Sequence, residues 1–268
     1  MTTVDDVRAR FRALHEGGTF VLPNPWDVGS ARILQHLGFV ALATTSSGFA
    51  ATLGRQDGRV TRDELVAHVA AITAAVTIPL NIDAERCFAD DLAGIAETVE
   101  QLAAAGAAGI SIEDFDPATN RIDGIDVAAA RVGAAAEACH RHGIVLTGRA
   151  ENHLHGISDL DDTVTRLQAY VAAGADAAYA PGLVALDDIA RVAREAGAPV
   201  NVLAFRRSPS VAEMASVGVR RVSTGGSLAW AAYGGQIDAA NELLTSGTST
   251  YLDRALSREV RSAAFASS

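Results

Sequence analysis

The sequence is poor in cysteine, in aromatic residues and in net positive charge, and each shortage excludes a class of protein. Two cysteines in 268 residues are too few for a disulfide scaffold and fit a reducing compartment. Aromatic residues make up 5% of the chain against 49% hydrophobic residues, so the core must use small and branched side chains. The formal charge of −10 disfavours nucleic acid or anionic membrane as a partner, but it does not disfavour a divalent metal ion.

Long apolar runs are also missing. The amino-terminal stretch MTTVDDVRARFRAL is charged and lacks the apolar region of a signal peptide. No uninterrupted apolar run is long enough to span a membrane. We therefore expect a soluble, cytoplasmic protein, and without an evident linker we expect residues 1–268 to form a single α/β domain.

Short apolar segments rich in β-branched residues recur eight times, with amphipathic, alanine-rich segments between them. The eight segments lie near 19–24, 39–46, 78–85, 108–115, 144–151, 176–182, 199–204 and 220–226. Continuous apolar strands alternating with helices are typical of a parallel sheet covered by helices, and eight such units predict a (β/α)8 TIM barrel. An extra helix at about 249–264 follows the eighth unit, and we expect it to pack on a neighbouring subunit.

Charged side chains stand where three of the predicted strands end. The third apolar segment closes with Asp83 and Glu85, the fourth with Glu113, and the fifth with Arg149 and Glu151. Alternate residues of a strand share a face, and the active site of a TIM barrel lies at the carboxyl ends of its strands. The pattern therefore predicts that these side chains meet at one mouth of the barrel.

Three carboxylates crowded together repel one another unless a cation neutralises them. Hard oxygen donors favour Mg²⁺, with Mn²⁺ as the alternative, and one direct carboxylate with the others held through water would suffice. Arg149 offers a planar fork for a substrate carboxylate. The competing interpretation is that the acids only cap the following helices or pair with Arg149.

Other candidate groups have a structural interpretation beside the functional one. Gly225 and Gly226, after the last strand, are typical of a phosphate-binding turn or simply of a tight turn. Cys87 is a candidate general acid, but a lone cysteine is more often a small packed residue. His153 and His155 lack a third ligand at zinc spacing.

Six motifs, taken in order along the chain, resemble a known superfamily. They are LPNPWDVGSARILQHLGF, SSGFAATLGRQDG, IDAE, GISIED, GRAE and SVAEMASVGVRRVSTGG, within about Leu22 to Gly235. As a set they resemble the isocitrate lyase/phosphoenolpyruvate mutase superfamily. The resemblance implies an Mg²⁺-dependent barrel that acts on small 2-oxo or 2-hydroxy carboxylates through an enolate-like species. It also implies a homotetramer, a dimer of dimers, in which terminal helices exchange between paired subunits.

Carried across residue by residue, the resemblance assigns roles to three groups of side chains. The metal ligands, and an acid near the metal waters, would be Asp83, Glu85, Glu113 and Asp57. The substrate would be held by Arg149 and by the segment after strand 2, namely Ser46, Ser47, Gly48 and Phe49. Glu151 would stand beside Arg149, and Asn120 matches part of a loop that follows strand 4 in the mutases.

Departures from the family patterns narrow the expected reaction. Isocitrate and methylisocitrate lyases carry a Lys-x-Cys-Gly-His loop after strand 4, whereas this chain reads EDFDPATNRIDGID and has no cysteine there. Phosphoenolpyruvate mutases carry a Pro-Lys-Thr-Asn loop, in which Ala118 here replaces the lysine. They also place a phosphoryl-contacting histidine after strand 6, where this chain has Pro181. The loss of two such groups would be severe for phosphoryl chemistry.

The expected function is therefore that of a lyase or hydrolase that cleaves a C–C bond of a small oxaloacetate-like or alkylmalate-like acid. Glu151, Cys87 and His153 are unranked candidates for its acid or base. One alternative is C–P chemistry, as a phosphonopyruvate hydrolase or phosphoenolpyruvate mutase, which Asn120 motivates. The other is a barrel that binds a carboxylate without catalysis.

Overall fold

The computed structural model describes residues 3–266 and places ten strands in them. They are β1 (Phe20–Leu22), β2 (Leu42–Ala43), β3 (Leu80–Asp83), β4 (Gly109–Glu113), β5 (Phe115–Asp116), β6 (Arg121–Ile122), β7 (Val145–Arg149), β8 (Ala177–Tyr179), β9 (Val200–Leu203) and β10 (Arg221–Ser223). Eight of these strands pair in parallel in the order β1-β10-β9-β8-β7-β4-β3-β2, while β5 and β6 form an antiparallel hairpin.

The two end strands of this sheet, β1 and β2, meet and nearly close it into a barrel. The Ala43 N–H donates to the Pro23 carbonyl at 3.0 Å, and the Asn24 side-chain amide donates to the Thr44 carbonyl at 2.7 Å. Each of the eight predicted apolar segments supplies one barrel strand. The prediction of a (β/α)8 TIM barrel is confirmed.

Helices alternate with the barrel strands. They are α1 (Val4–Leu14), α2 (Val28–His36), α3 (Ser46–Thr52), α4 (Arg62–Ala75), α5 (Leu92–Ala104), α6 (Ile125–Arg141), α7 (Leu160–Ala172), α8 (Leu186–Glu195), α9 (Val211–Ser216), α10 (Ser227–Ser246) and α11 (Arg258–Ala264). Capping residues fix several starts: the Thr61 hydroxyl accepts the Glu64 N–H, and the Glu64 carboxylate accepts the Thr61 N–H. None of the helices in residues 3–266 combines the length and apolar character needed to cross a membrane.

The trailing segment is helical in two pieces rather than one. A 3₁₀ helix at Thr250–Arg254 precedes α11, and the extended backbone of Ala255 separates the two. The Ser257 hydroxyl accepts the Val260 N–H and so starts the second piece. In this structure α11 contacts α2 of the same chain, so exchange of terminal helices between subunits stays a prediction.

The main hydrophobic core lies between the sheet and the helices, and the amino-terminal helix closes one end of the barrel. Phe11 of α1 is fully buried beneath the strands, against Phe20 and Val145. Gly109 must be glycine, because a Cβ there would lie 2.4 Å from the Phe11 ring and 2.5 Å from the Asn81 amide oxygen. Access to the barrel interior is therefore left to the opposite end, where the strands finish.

His15, which follows α1, should make the stability of the protein sensitive to acid. Burial, together with the nearby charge of Arg221, lowers the pKa of His15 from 6.5 to about 4. As the pH falls from 6.5 to about 4, the unfolded chain takes up a proton that the folded chain resists, so stability falls. We expect the free energy of unfolding of the wild type to drop by about 3 kcal/mol more than that of His15→Gln between pH 7 and pH 4. Urea unfolding measures this difference. The exposed His36→Gln control should follow the wild type, and parallel curves for His15→Gln would contradict the assignment.

Candidate active site

The carboxyl ends of β3, β4 and β7 bring three of the predicted site residues together. Glu113 and Arg149 are direct partners in the β4–β7 ladder, and Asp83 ends the adjoining strand β3. Arg149 Nη1 lies 3.2 Å from Asp83 Oδ1 and 3.4 Å from Glu113 Oε2, while its Nε donates to Glu151. Arg149 thus lies among three carboxylates.

Burial and mutual charge shift the pKa values of the groups in this cluster. Burial raises the pKa of Glu113 well above its usual range, in spite of the nearby guanidinium. The charges of Glu151 and Glu113 in turn raise the pKa of Arg149, although burial opposes its charge. A buried pair is stable only when each charge keeps its partner, so loss of one group would leave the others costly to bury.

Two further acids complete the group. Glu85 stands after β3 in the left-handed region, with φ 48°, and its carbonyl accepts the Glu113 N–H at 3.0 Å. Burial and then the charges of Asp83 and Asp57 raise the pKa of Glu85 to about 8. Asp57 comes from an exposed loop, and partial burial of its carboxylate raises its pKa as well. Burial is the largest cause of both shifts, and the lowering effect of Arg149 does not offset it.

The donor set fits a hard divalent cation held largely through water. All four predicted metal residues offer carboxylate oxygens, with no thiol or imidazole among them, as Mg²⁺ prefers. Within residues 3–266, no three acidic, histidine or cysteine side chains already converge closely enough to coordinate one ion directly. One direct carboxylate with the others behind waters is compatible with this spacing, and a bound dication would favour the charged form of these acids. The four residues are Asp57, Asp83, Glu85 and Glu113.

Two adjoining cavities open at this mouth. An inner cavity of about 160 Å³ reaches into the barrel between the strands, and an outer cavity of about 600 Å³ lies between the loops. Both are lined by Ser46, Asp57 and Arg149. A small acid bound at Arg149 would therefore touch both spaces.

The segment after β2 contributes only in part. It forms the start of α3, where the Ser46 N–H donates to Asp83 Oδ2 at 3.2 Å and Ser47 lines the inner cavity. The Gly48 and Phe49 N–H groups bond to Thr45 within the helix. The Phe49 ring is buried and stacks on His68 with the ring centroids 3.8 Å apart, so neither of these two residues lines the cavities.

Two of the three candidates for the acid or base lie away from the cavities. Cys87 is fully buried in the hydrophobic core, where burial raises the pKa of its thiol to about 12. His153 bonds to the Thr163 hydroxyl at 2.9 Å and does not line either cavity. Glu151 remains, since it lines the outer cavity and contacts Arg149.

His155 is a site residue that the sequence argument missed. It lines the outer cavity, its Nε2 lies 3.9 Å from Glu151 Oε2, and its ring stacks on Phe115 with centroids 3.8 Å apart. The sequence pattern suggests only a zinc ligand at this position. The signal that could have identified it is the motif ENHLHG, which puts His155 four residues after Glu151 in the short turn that follows β7.

Asp114 holds the backbone of Glu151 in place, and the β5–β6 hairpin lies beside the same cavity. Asp114 is buried, and its carboxylate accepts the Glu151 N–H at 2.8 Å and the Tyr170 hydroxyl at 2.6 Å. Asn120 stands at the exposed turn of the β5–β6 hairpin with φ 55°, and it lines the outer cavity. The loop after strand 4 is therefore an ordered hairpin beside the site.

Comparisons with known proteins agree on the family. The family model described as phosphoenolpyruvate phosphomutase matches residues 11–244. An uncharacterized protein of Mycobacterium tuberculosis (strain H37Rv) is 36% identical over 213 residues, which are 79% of each chain. An oxaloacetate decarboxylase of Rhodopseudomonas palustris (strain HaA2) is 30% identical over 204 residues, 73% of this chain and 70% of that protein.

Solved structures show the same relationship. An inferred lyase/mutase from Burkholderia cenocepacia J2315 is 44% identical, with a TM-score of 0.94 over 98% of this chain and 97% of that one. A 2,3-dimethylmalate lyase of the PEP mutase/isocitrate lyase superfamily is 25% identical, with a TM-score of 0.84 over 98% and 95% of the two chains. The chain belongs to the phosphoenolpyruvate phosphomutase family, within the PEP mutase/isocitrate lyase superfamily.

Proposed function

We propose that this protein is an Mg²⁺-dependent lyase that cleaves a C–C bond of a small 2-oxo or 2-hydroxy carboxylate, with an oxaloacetate-like acid as its preferred substrate. The observation that carries the proposal is the cluster of carboxylates around Arg149 at the junction of the two cavities. The similarity to an oxaloacetate decarboxylase and to a dimethylmalate lyase supports the same reaction class.

Substrate binding would use Arg149 and the start of α3. The guanidinium presents paired N–H groups to a carboxylate, and it already lies where both cavities meet. Glu151 bonds to Arg149 Nε, so it orients the guanidinium while other N–H groups turn to the substrate. Ser46 and Ser47 line the cavity beside this position. The Ser46 N–H donates to Asp83 Oδ2, and the Ser47 hydroxyl would donate to a second substrate oxygen.

The proposed cation would be held by Asp83, Glu85 and Glu113, with Asp57 bonded to its waters. When bound, the ion supplies positive charge that stabilises the electron density developing on the 2-oxo group as the C–C bond breaks. The carboxylates keep this charge in place.

Bond cleavage then needs a proton at the carbon that loses its substituent. In decarboxylation of a 2-oxo diacid, the bond between C3 and C4 breaks, CO₂ leaves, and the electron pair stays on the enolate. A proton delivered to C3 completes the product. We propose that His155 delivers it. The support is that its ring lines the outer cavity beside Glu151 and stacks on Phe115.

Incubation of the purified protein with oxaloacetate and Mg²⁺ tests the proposal. We expect pyruvate to form well above the metal-only rate, and chelation of the ion to abolish the enzyme-dependent part. Pyruvate can be followed by coupled reduction or by proton NMR. Asp83→Asn should lower kcat/KM by about 10²-fold or more, whereas the exposed Asp63→Asn control should match the wild type.

Two results would redirect the proposal. Phosphate release from phosphonopyruvate, with no reaction of any 2-oxo or 2-hydroxy diacid, would favour C–P chemistry. Stabilisation by oxalate without turnover of either substrate class would favour a carboxylate-binding barrel.

The assignment of His155 can be tested by replacement and chemical rescue. We expect His155→Ala to lower kcat by about 10²-fold with KM nearly unchanged, because proton transfer and not binding is lost. Added imidazole should restore part of kcat, since the outer cavity has room for it. His153→Ala is the matched control and should keep full activity. A His155→Ala enzyme with wild-type kcat, or one that imidazole does not rescue, would show that His155 has a structural role and does not transfer the proton.

We also propose that the protein is a homo-oligomer, a dimer of dimers, as its resemblance to the superfamily implies. The support is a set of large apolar side chains left exposed on α10 and after it, including Trp230, Ile237, Leu244 and Leu252. Such a surface is typical of a subunit interface. Light scattering coupled to gel filtration should give a mass near four chains, and Leu244→Glu should lower it. Gln168→Glu, at an exposed polar position on α7, is a control that should leave the mass unchanged.

A further inference from the structure

Arg221 is a buried guanidinium to which the proposed reaction gives no role. It begins β10, lines the inner cavity and is 2% exposed. Its Nε donates to the Asn201 amide oxygen at 2.9 Å, and its Nη2 donates to the Thr147 hydroxyl at 2.9 Å. Its Nη1 lies 3.4 Å from His15 Nε2. All three partners are uncharged.

No counter-charge compensates this cation. Within residues 3–266, no carboxylate lies within 4.0 Å of the Arg221 guanidinium. His15 supplies none, because its Nδ1 lies 2.9 Å from the Phe11 carbonyl and so donates, which leaves Nε2 as a neutral acceptor. Burial lowers the pKa of Arg221 to about 10, so it is still charged at neutral pH. An unpaired charge in such a place is strongly destabilising.

Asn81 also lines this cavity. It is 3% exposed, and its side-chain oxygen has no hydrogen-bond partner within residues 3–266. Buried polar groups normally have partners and buried charges normally have counter-charges, so Asn81 and Arg221 beside one cavity indicate an occupant from outside the chain. The volume of about 160 Å³ holds about five waters, or a small organic acid with one or two waters.

The cavity extends from the mouth of the barrel to Arg221. Its lining runs from Ser46 and Asp57 at the mouth to Arg221 at the start of β10. Arg149, Tyr179, Asn201 and Arg221 are successive partners across β7, β8, β9 and β10, so they form one row of the barrel wall. An anion that enters past Arg149 can therefore reach Arg221.

We propose that Arg221 and Asn81 form an anion-binding site inside the barrel, sized for one carboxylate group. The guanidinium N–H groups that its three partners leave free bind the carboxylate oxygens, and a water bridges to the Asn81 oxygen. The ligand is either a free small carboxylate or one end of a dicarboxylic acid whose other end lies at Arg149. This proposal does not depend on the proposed reaction, because ligand binding alone tests it.

Thermal unfolding in sodium formate tests the site without any turnover. We expect the Tm of the wild type to rise with formate concentration, and we expect Arg221→Met to lose this shift. Arg220→Met is the matched control, because Arg220 is the exposed neighbour and the substitution removes the same charge. Equal formate shifts in the wild type and Arg221→Met, or no shift in the wild type, would overturn the proposal.

A second variant keeps the test valid if Arg221→Met does not fold. Asn201→Asp places a carboxylate oxygen where the amide oxygen now lies, 2.9 Å from Arg221 Nε, so it supplies the missing counter-charge from within. We expect a higher Tm without formate and no formate shift. A formate shift as large as that of the wild type would overturn the proposal.

Malonate distinguishes the two sources of the carboxylate. If one end of a diacid occupies the site, malonate should stabilise the protein at lower concentration than formate, and Arg221→Met should weaken its binding at least ten-fold. If the site takes a free small anion, malonate binding should be unchanged in Arg221→Met while the formate shift is lost. Both results support the site and differ only in its occupant.

Discussion

The ion pairs that Arg149 makes with surrounding carboxylates are the interaction on which the candidate site depends. The parallel ladder sets Glu113 directly opposite Arg149, and the neighbouring strand adds Asp83. Burial, followed by the charges of Asp83 and Asp57, raises the pKa of Glu85 to about 8, and the lowering effect of Arg149 does not offset it. The chain contains no lysine, so every basic group outside the histidines is a planar guanidinium. Such a group can share its five N–H donors among several carboxylates at once.

Stability and function are separated between the two sides of the barrel wall. Outside the strands, small and branched side chains fill the space against the helices, and this core is continuous. Inside, the wall carries polar side chains where a TIM barrel usually packs branched apolar ones, for example Asn81, Ser111, Thr147 and Asn201. The outer core must therefore supply the stability that lets the interior stay polar and partly open.

The sequence predicted the barrel and the meeting of its acids because both follow from periodicity. Strand ends of a parallel sheet share one edge, so a carboxylate at the end of β3 and one at the end of β4 must be neighbours. Side-chain direction beyond a strand end does not follow from such a rule. The Phe49 side chain faces the core because α3 begins at Ser46. Cys87 is buried because the left-handed backbone angles of Glu85, Cys87 and Phe88 turn the chain after β3.

Two other features depended on contacts between segments far apart in the chain. His155 enters the site by stacking on Phe115 from the β5–β6 hairpin, 40 residues earlier. Arg221 stands out because its hydrogen-bond partners, which lie just after α1, on β7 and on β9, are all neutral. A periodicity argument detects neither kind of contact, because both need the positions of complete side chains.

The hairpin side of the outer cavity is better matched to the neutral leaving group of the proposed reaction than to a phosphoryl group. A phosphoryl group in transfer needs cations around its oxygens. At the hairpin the chain has Ala118, and Arg86, which lines the outer cavity, is already paired with Asp123 at 3.0 Å. The Phe115 ring, Pro117 and Leu154 add apolar surface to the wall, which Arg59 also lines. In the proposed reaction, a neutral fragment such as CO₂ would leave through this space without losing charge-assisted contacts, while the charged remainder would stay with Arg149.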